Sequence, residues 1–175
     1  MRKKLLAAGR KLFAEQGFAD TGTPQIVKEA AVTRGALYHH FADKTALFRA
    51  VAEAEAAQVA AEIRKGDLIA SNSLEAGGRA YFKAMSVPGR ARILLRDGPG
   101  VLGQVDMDRI DAGAGRATLV EGLRHWQPDM EQAEHLRLAV LISAAFDRAA
   151  LAVGDGDNAD DWLASLTTLT KSIVG

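Results

Sequence analysis

The chain has 175 residues, 48% of them apolar, and no cysteine. That length holds one large domain or two small ones with a real core, and the lack of cysteine excludes disulfides, thiolate zinc sites and a catalytic thiol. The net charge of zero divides unevenly: residues 1–50 carry nine Lys/Arg against four Asp/Glu (+5), and residues 51–175 carry thirteen against eighteen (−5), so one end is suited to meet polyanions.

The pattern is helical nearly throughout. Leu5, Ala8, Gly9, Leu12 and Phe13 recur at three- and four-residue steps and make one apolar helix face. Gly17 can end that helix. Thr23-Pro24 is a start signal, with Thr as a cap and Pro at the first helical position, for a short helix through Ile26, Val27 and Ala30. Thr33 can cap a third short helix, Arg34 to His40. Asp43 is the next cap, before a helix from about Lys44 to Lys65, which would be about 33 Å long. Residues 66–72 read as a connection and Ser73 to Ser86 as a helix. Pro88-Gly89 marks a turn, Ala91 to Arg96 is a short apolar stretch, and Asp97 to Gly103 is glycine-rich. Asp106 to Trp126 reads as one helix weakened by Gly113, Gly115 and Gly122 and broken by Pro128. Glu131 to Val153 is apolar almost all round and needs cover on most sides. The last helix, about 159–174, places Trp162, Leu166, Leu169 and Ile173 in a single seam. The fold class expected is all-α. The longest apolar run, Leu138 to Ile142, is far short of the roughly 20 residues of a membrane span. The basic start, Met1 to Lys4, does not continue as a signal peptide, so the expected location is the cytoplasm.

The three short-linked helices of residues 1–48 form a helix-turn-helix unit. A helix that reads the major groove offers its N-terminal residues to base edges. Here those are Thr33, Arg34, Gly35 and Ala36. Gly35 and Ala36 are small enough for close backbone approach, and Arg34 can donate to guanine or phosphate. Tyr38 and His39 offer polar tips on rigid side chains. Lys44, at the start of the next helix, and Thr23, at the start of the preceding one, suit phosphates.

Leu12-Phe13-Ala14-Glu15-Gln16-Gly17-Phe18, then Ile26, then Val32-Thr33-Arg34-Gly35-Ala36-Leu37-Tyr38-His39-His40-Phe41, then Lys44 and Leu47-Phe48 resemble the signature of the tetracycline-repressor (TetR) family over about residues 5 to 51. The resemblance implies that the third helix reads DNA. Thr33, Arg34, Gly35, Ala36, Tyr38 and His39 would face DNA and Lys44 a phosphate, while Phe13, Ile26, Val32, Leu37, Phe41 and Leu47 would be core. It also implies a helical ligand-binding and dimerisation domain in residues 49–175. Residues 91 to 103 resemble a segment found in one branch of the same family. Three departures stand out: Ala31 where the family usually has Gly, Thr45 where an acidic residue is common, and only Arg2, Lys3 and Lys4 before the first helix.

Other chemistries are weaker. His39-His40 point about 100° apart on a helix, without a second ligand pair, so no metal site is expected. Gly98 to Gly103 matches G-x-G-x-x-G, with Ile93-Leu94-Leu95 as a possible preceding strand; a nucleotide-binding enzyme is the alternative this supports, but no other strands exist to build its βαβ unit. A helical interaction module without DNA binding is a third reading. Asp147 and Arg148 interrupt the apolar helix, as a dimer pair or a polar spot in a pocket. His125 and His135 read as ordinary surface or capping residues. Tyr81, Phe82, Met85, Leu102, Met107, Leu119, Leu123, Trp126 and Phe146 are candidates to line a ligand cavity, against the plainer reading of simple core.

The expectation is therefore a regulator without enzymatic activity and without a cofactor. It binds a palindromic double-stranded DNA operator as a homodimer paired through about 131–153 and 159–174, and releases it on binding a small-molecule effector. No membrane partner is expected.

Overall fold

The structure is a computed structural model that describes residues 1–65 and 74–174, the side chains of residues 172–174 excepted. Among the described residues it is all-helical: α1 (Arg2–Asp20), α2 (Thr23–Glu29), α3 (Arg34–His40), α4 (Lys44–Lys65), α5 (Leu74–Met85), a π-helical turn (Arg92–Asp97) running into α6 (Gly98–Leu102), α7 (Gln104–Ala112), α8 (Gly115–Trp126), α9 (Gln132–Gly154) and α10 (Ala159–Val174). The connection expected at 66–72 and the helix start expected at Ser73 lie outside the described residues.

Packing groups the chain into two compact units. The first is Met1–Glu55 with Pro88–Ile110; the second is Ala56–Val87 with Asp111–Gly175. The α4 helix thus gives its first half to one and its second half to the other. By packing, residues 88–110 thus go with the N-terminal helices.

The core of the first unit is Leu5, Phe13, Ile26, Leu37, Leu47 and Phe48, all fully buried, with Phe41 buried as well; Val32 is only partly covered. Phe13, Phe18 and Phe48 meet edge to face or stacked, with centroids 5.1 to 5.9 Å apart. Residues 88–110 close the other side of α1. Gly89 sits at φ 78°, and a Cβ there would lie 2.2 Å from the Ala14 Cβ, so only glycine lets the backbones approach this closely. Nearby, Glu55 is buried and takes Arg90 Nε at 2.8 Å and Arg10 Nε at 3.3 Å. Both cations are needed there, since a lone buried carboxylate would be costly.

In the second unit, α9 buries His135, Ala139, Ile142, Phe146, Ala149 and Ala150. The His135 ring Nε2 meets the Gln127 carbonyl at 2.9 Å, while His125 is exposed. The opposite face of α9 leaves Leu136, Val140 and Leu141 47%, 43% and 64% exposed. On α10 the inward row is Leu163, Leu166 and Thr170. Leu169 is 52% exposed, and Trp162 lies at the surface edge, donating Nε1–H to Asp157 at 3.0 Å. The expected single seam is therefore split between two faces, and the side chain of Ile173 is outside the described residues.

Two more expectations are corrected. Asp106 to Trp126 is not one helix: it breaks after Ala112, and Ala114 takes a non-helical backbone (φ −129°, ψ −106°). Residues 98–102 of the glycine-rich segment are helical, and Ile93-Leu94-Leu95 lie in the π-helical turn before it, not in a strand. The strand-turn-helix context that a dinucleotide fingerprint requires is absent here.

Candidate nucleic-acid interface and effector site

Local chemistry sets the helix-turn-helix. Gly17 takes φ 85° and ends the regular part of α1, leaving carbonyls that other groups must satisfy. The fully buried Thr21 donates its hydroxyl to Gly17 O at 2.6 Å. Lys44 Nζ donates to Phe18 O at 2.8 Å and Thr21 O at 2.9 Å, and lies 4.0 Å from the centre of the Phe18 ring. Asp97 accepts the Phe18 N–H at 2.8 Å. The first of the three expected N-caps differs from expectation: α2 starts at Thr23 with Gly22 as its N-cap, and Gln25 Oε1 reaches back to the Gly22 N–H at 2.6 Å. Thr33 caps α3 by accepting the Ala36 N–H at 3.2 Å, and Asp43 caps α4 by accepting the Ala46 N–H at 2.7 Å. With α2 starting at Thr23, Pro24 is its second residue, one place later than expected. Between α2 and α3, Ala31 adopts φ 51° and the Val32 N–H closes on Val27 O, the left-handed helix end that glycine ordinarily supplies.

This leaves one face of α3 open. Thr33, Arg34, Gly35, Tyr38 and His39 are exposed, and Ala36 is partly so. Tyr38 is 43% exposed. The Arg34 guanidinium lies 5.5 Å from the centre of its ring. Hydrogen bonds with Arg34 and then Thr23 hold the Tyr38 hydroxyl below the usual phenol range. The fold thus brings Thr23, Arg34 and Tyr38 into one cluster at the mouth of the turn. Position alone in the sequence does not reveal that grouping. His39 and the half-covered His40 have ring centres 5.2 Å apart. Lys44 is the exception among the predicted phosphate ligands: two of its three N–H donors are spent on α1 carbonyls. Sequence reading missed Thr21 and Asp97, whose roles depend on contacts rather than on local pattern.

The candidate effector residues fall in both units. Leu102 and Met107 belong to the first unit, and Met107 packs against Gly98. Tyr81, Phe82, Met85, Leu119, Leu123, Trp126 and Phe146 belong to the second. There, Phe82, Met85, Leu123 and Phe146 are buried, and Tyr81, Leu119 and Trp126 partly so. Tyr81, Phe82 and Phe146 meet ring to ring at 5.6 to 5.9 Å. The Trp126 indole N–H is buried without an acceptor among the described residues. Asp147, which the sequence shows only as an interruption, accepts the Tyr81 O–H at 2.6 Å. Burial outweighs that bond and pushes its carboxyl up to about 6. No group of three or more metal-ligating side chains exists among the described residues, and none of the described helices is long and apolar enough to cross a membrane.

Comparison with known proteins agrees with this geometry. Residues 5–51 match the profile described as bacterial regulatory proteins, tetR family, and residues 71–174 match that of a tetracyclin repressor-like C-terminal domain. The transcriptional repressor AcnR of Corynebacterium efficiens is 34% identical over 68 residues, 39% of this chain and 36% of that protein. The regulator AcrR of Shigella flexneri is 44% identical over 52 residues, 30% of this chain and 24% of its own length. The match therefore spans about a third or less of these curated relatives. A TetR-family transcriptional regulator of Pectobacterium atrosepticum superposes with a TM-score of 0.66 at 29% identity, covering 98% of this chain and 91% of that one. With its head and its C-terminal domain both matched, the chain belongs to the TetR family of bacterial regulatory proteins.

Proposed function

We propose that the protein is a cytoplasmic transcriptional repressor that binds an inverted-repeat operator as a homodimer and releases it when a small molecule occupies the second unit. The observation that carries the DNA reading is the open face of α3. Arg34 and Tyr38 stand exposed there beside Thr23, on a helix of seven residues held from behind by the buried Leu37. A helix so presented fits a major groove about 12 Å wide. The exposed Leu136, Val140 and Leu141 of α9, with Leu169 of α10, support pairing with a second copy as a four-helix bundle. That pairing sets two copies of α3 about 34–36 Å apart, or a nearby multiple, on one face of DNA.

The effector reading rests on the aromatic group at Tyr81, Phe82 and Phe146 and on the orphaned Trp126 N–H, which an acceptor on a ligand would satisfy. The ligand favours a conformation in which α4, unbroken from Lys44 to Lys65, has shifted the recognition helices out of register, with a coupling of about 1–3 kcal/mol or more.

The test is binding to fragments of the source genome in moderate salt, with Arg34→Ala and Tyr38→Ala alongside. A few fragments sharing an inverted repeat should bind at nanomolar strength, with each variant weakening binding by about 1–3 kcal/mol. Weak, sequence-blind binding that neither variant alters refutes the reading. Lys44→Ala is a poor probe here, because it also strips the α1 end of its caps.

A further inference from the structure

Inside the second unit, among the described residues, one carboxylate has no ion-pair partner. Asp147 lies on α9, half-buried, and among the described residues its hydrogen bond is from the Tyr81 hydroxyl at 2.6 Å. A phenol is neutral and offsets little of the cost of holding an anion away from water. The charged groups around it come from α7 and α8. Asp111, at the end of α7, adds a second negative charge. Arg116, on α8, reaches Asp147 with its field but places its Nε 2.9 Å from Asp111 Oδ2. Ser143, one turn before Asp147, also donates to Asp111 Oδ2, at 3.0 Å. Arg116 is thus engaged by Asp111, and among the described residues Asp147 has no cation bonded to it.

What surrounds Asp147 points to the missing charge. Asp147 holds the Tyr81 hydroxyl, and the Tyr81 ring meets those of Phe82 and Phe146, all three within 5.9 Å centre to centre. Aromatic faces are negative and attract cations while excluding water. One carboxylate and a phenol are too few ligands for a metal ion: calcium and magnesium take six or more oxygens and zinc four donors, and no group of three ligating side chains lies among the described residues. They suit an organic cation, whose N–H groups pair with the free carboxylate oxygen while its apolar body lies on the rings.

We propose that the Tyr81–Asp147 pair anchors the effector, and that the effector is a protonated amine with an apolar or aromatic body. This rests on the reading that the second unit takes a ligand. The amine supplies the charge that the cluster lacks, so a neutral molecule of the same shape binds more weakly.

Calorimetric titration of the full chain at pH 7.5 tests it with three probes of one shape: 2-phenylethylamine, 2-phenylethanol and 3-phenylpropionate. The amine should bind at least about tenfold more tightly than the alcohol, and the carboxylate should not bind. Asp147→Asn should reduce the amine to the level of the alcohol, with helix content unchanged by circular dichroism. In the unaltered protein, amine affinity should fall roughly tenfold at pH 5, where Asp147 takes up a proton. Equal binding of amine and alcohol, or no binding of the amine, overturns the proposal. So does an Asp147→Asn variant that changes oligomeric state and leaves amine binding intact, which would make Asp147 a subunit contact. Operator affinity measured in the same samples separates this from the wider reading. An amine that binds through Asp147 without changing DNA affinity upholds the anchor and removes the switch. Release of DNA by neutral molecules alone upholds the switch and removes the anchor.

Discussion

Ala31 holds φ 51° with its side chain exposed. A Cβ in that conformation costs about 1–2 kcal/mol, and glycine there returns part of the gain through its freer unfolded chain. Ala31→Gly should therefore stabilise the protein by about 0.5–1 kcal/mol, read as a higher urea midpoint with unchanged slope. Asp147 has the opposite character. Its carboxyl is raised in the fold to about 6 from the ordinary 3.8, so the native state binds the proton more tightly than the unfolded chain. Its favourable protonated form contributes fully below about pH 4, and that contribution is lost as pH rises toward 6. Asp147→Asn should remove this slope and raise the melting temperature at pH 7.5, by an amount worth up to about 3 kcal/mol. A stability scan from pH 4 to 8 on both proteins decides it. Of these two residues, Ala31 was legible as a departure from the family pattern. Asp147 was visible only as a charge within an apolar helix, because its neighbours come from three other helices.

At the scale of elements, what is written locally was readable. The caps Thr33 and Asp43, the early Pro24 and the Gly17 break are set by residues within four positions of one another, and the first four helices follow from them. The α7–α8 break and the helical 92–102 segment were not readable. Their apolar and glycine content fits several conformations, and the choice is made by partners far along the chain. Gly89 is the clearest case, since its Cβ position is filled by Ala14. Gly89→Ala should push the 88–97 segment off α1 and cost more than about 2 kcal/mol, combining overpacking with a disfavoured φ. Unfolding by denaturant measures that loss. A cost below 0.5 kcal/mol would mean that this approach is not tight in solution.

For the whole molecule, the residue pattern predicted both the helical class and a surplus of apolar helix surface. It did not predict which α10 residues turn inward, because a 3–4 spacing fits two neighbouring faces of one helix. Leu141, 64% exposed on α9, offers a test that leaves the protomer's own core intact. Leu141→Glu should halve the mass seen by sedimentation and lower operator affinity at least about a hundredfold, since two linked half-site contacts become one. Unchanged mass would remove this face as the proposed pairing surface.

The placement of residues 88–110 with the N-terminal helices bears on how such proteins can exchange parts. The α1 end depends on Asp97, α4 on Asp106 through Arg49 at 2.7 Å, and Glu55 on Arg90. A chimaera joined near residue 48 would graft a foreign reading head onto a segment that no longer fits beneath it. Recombination among relatives that swaps operator specificity must therefore carry two stretches of gene together, or leave the head's underside matched by compensating changes.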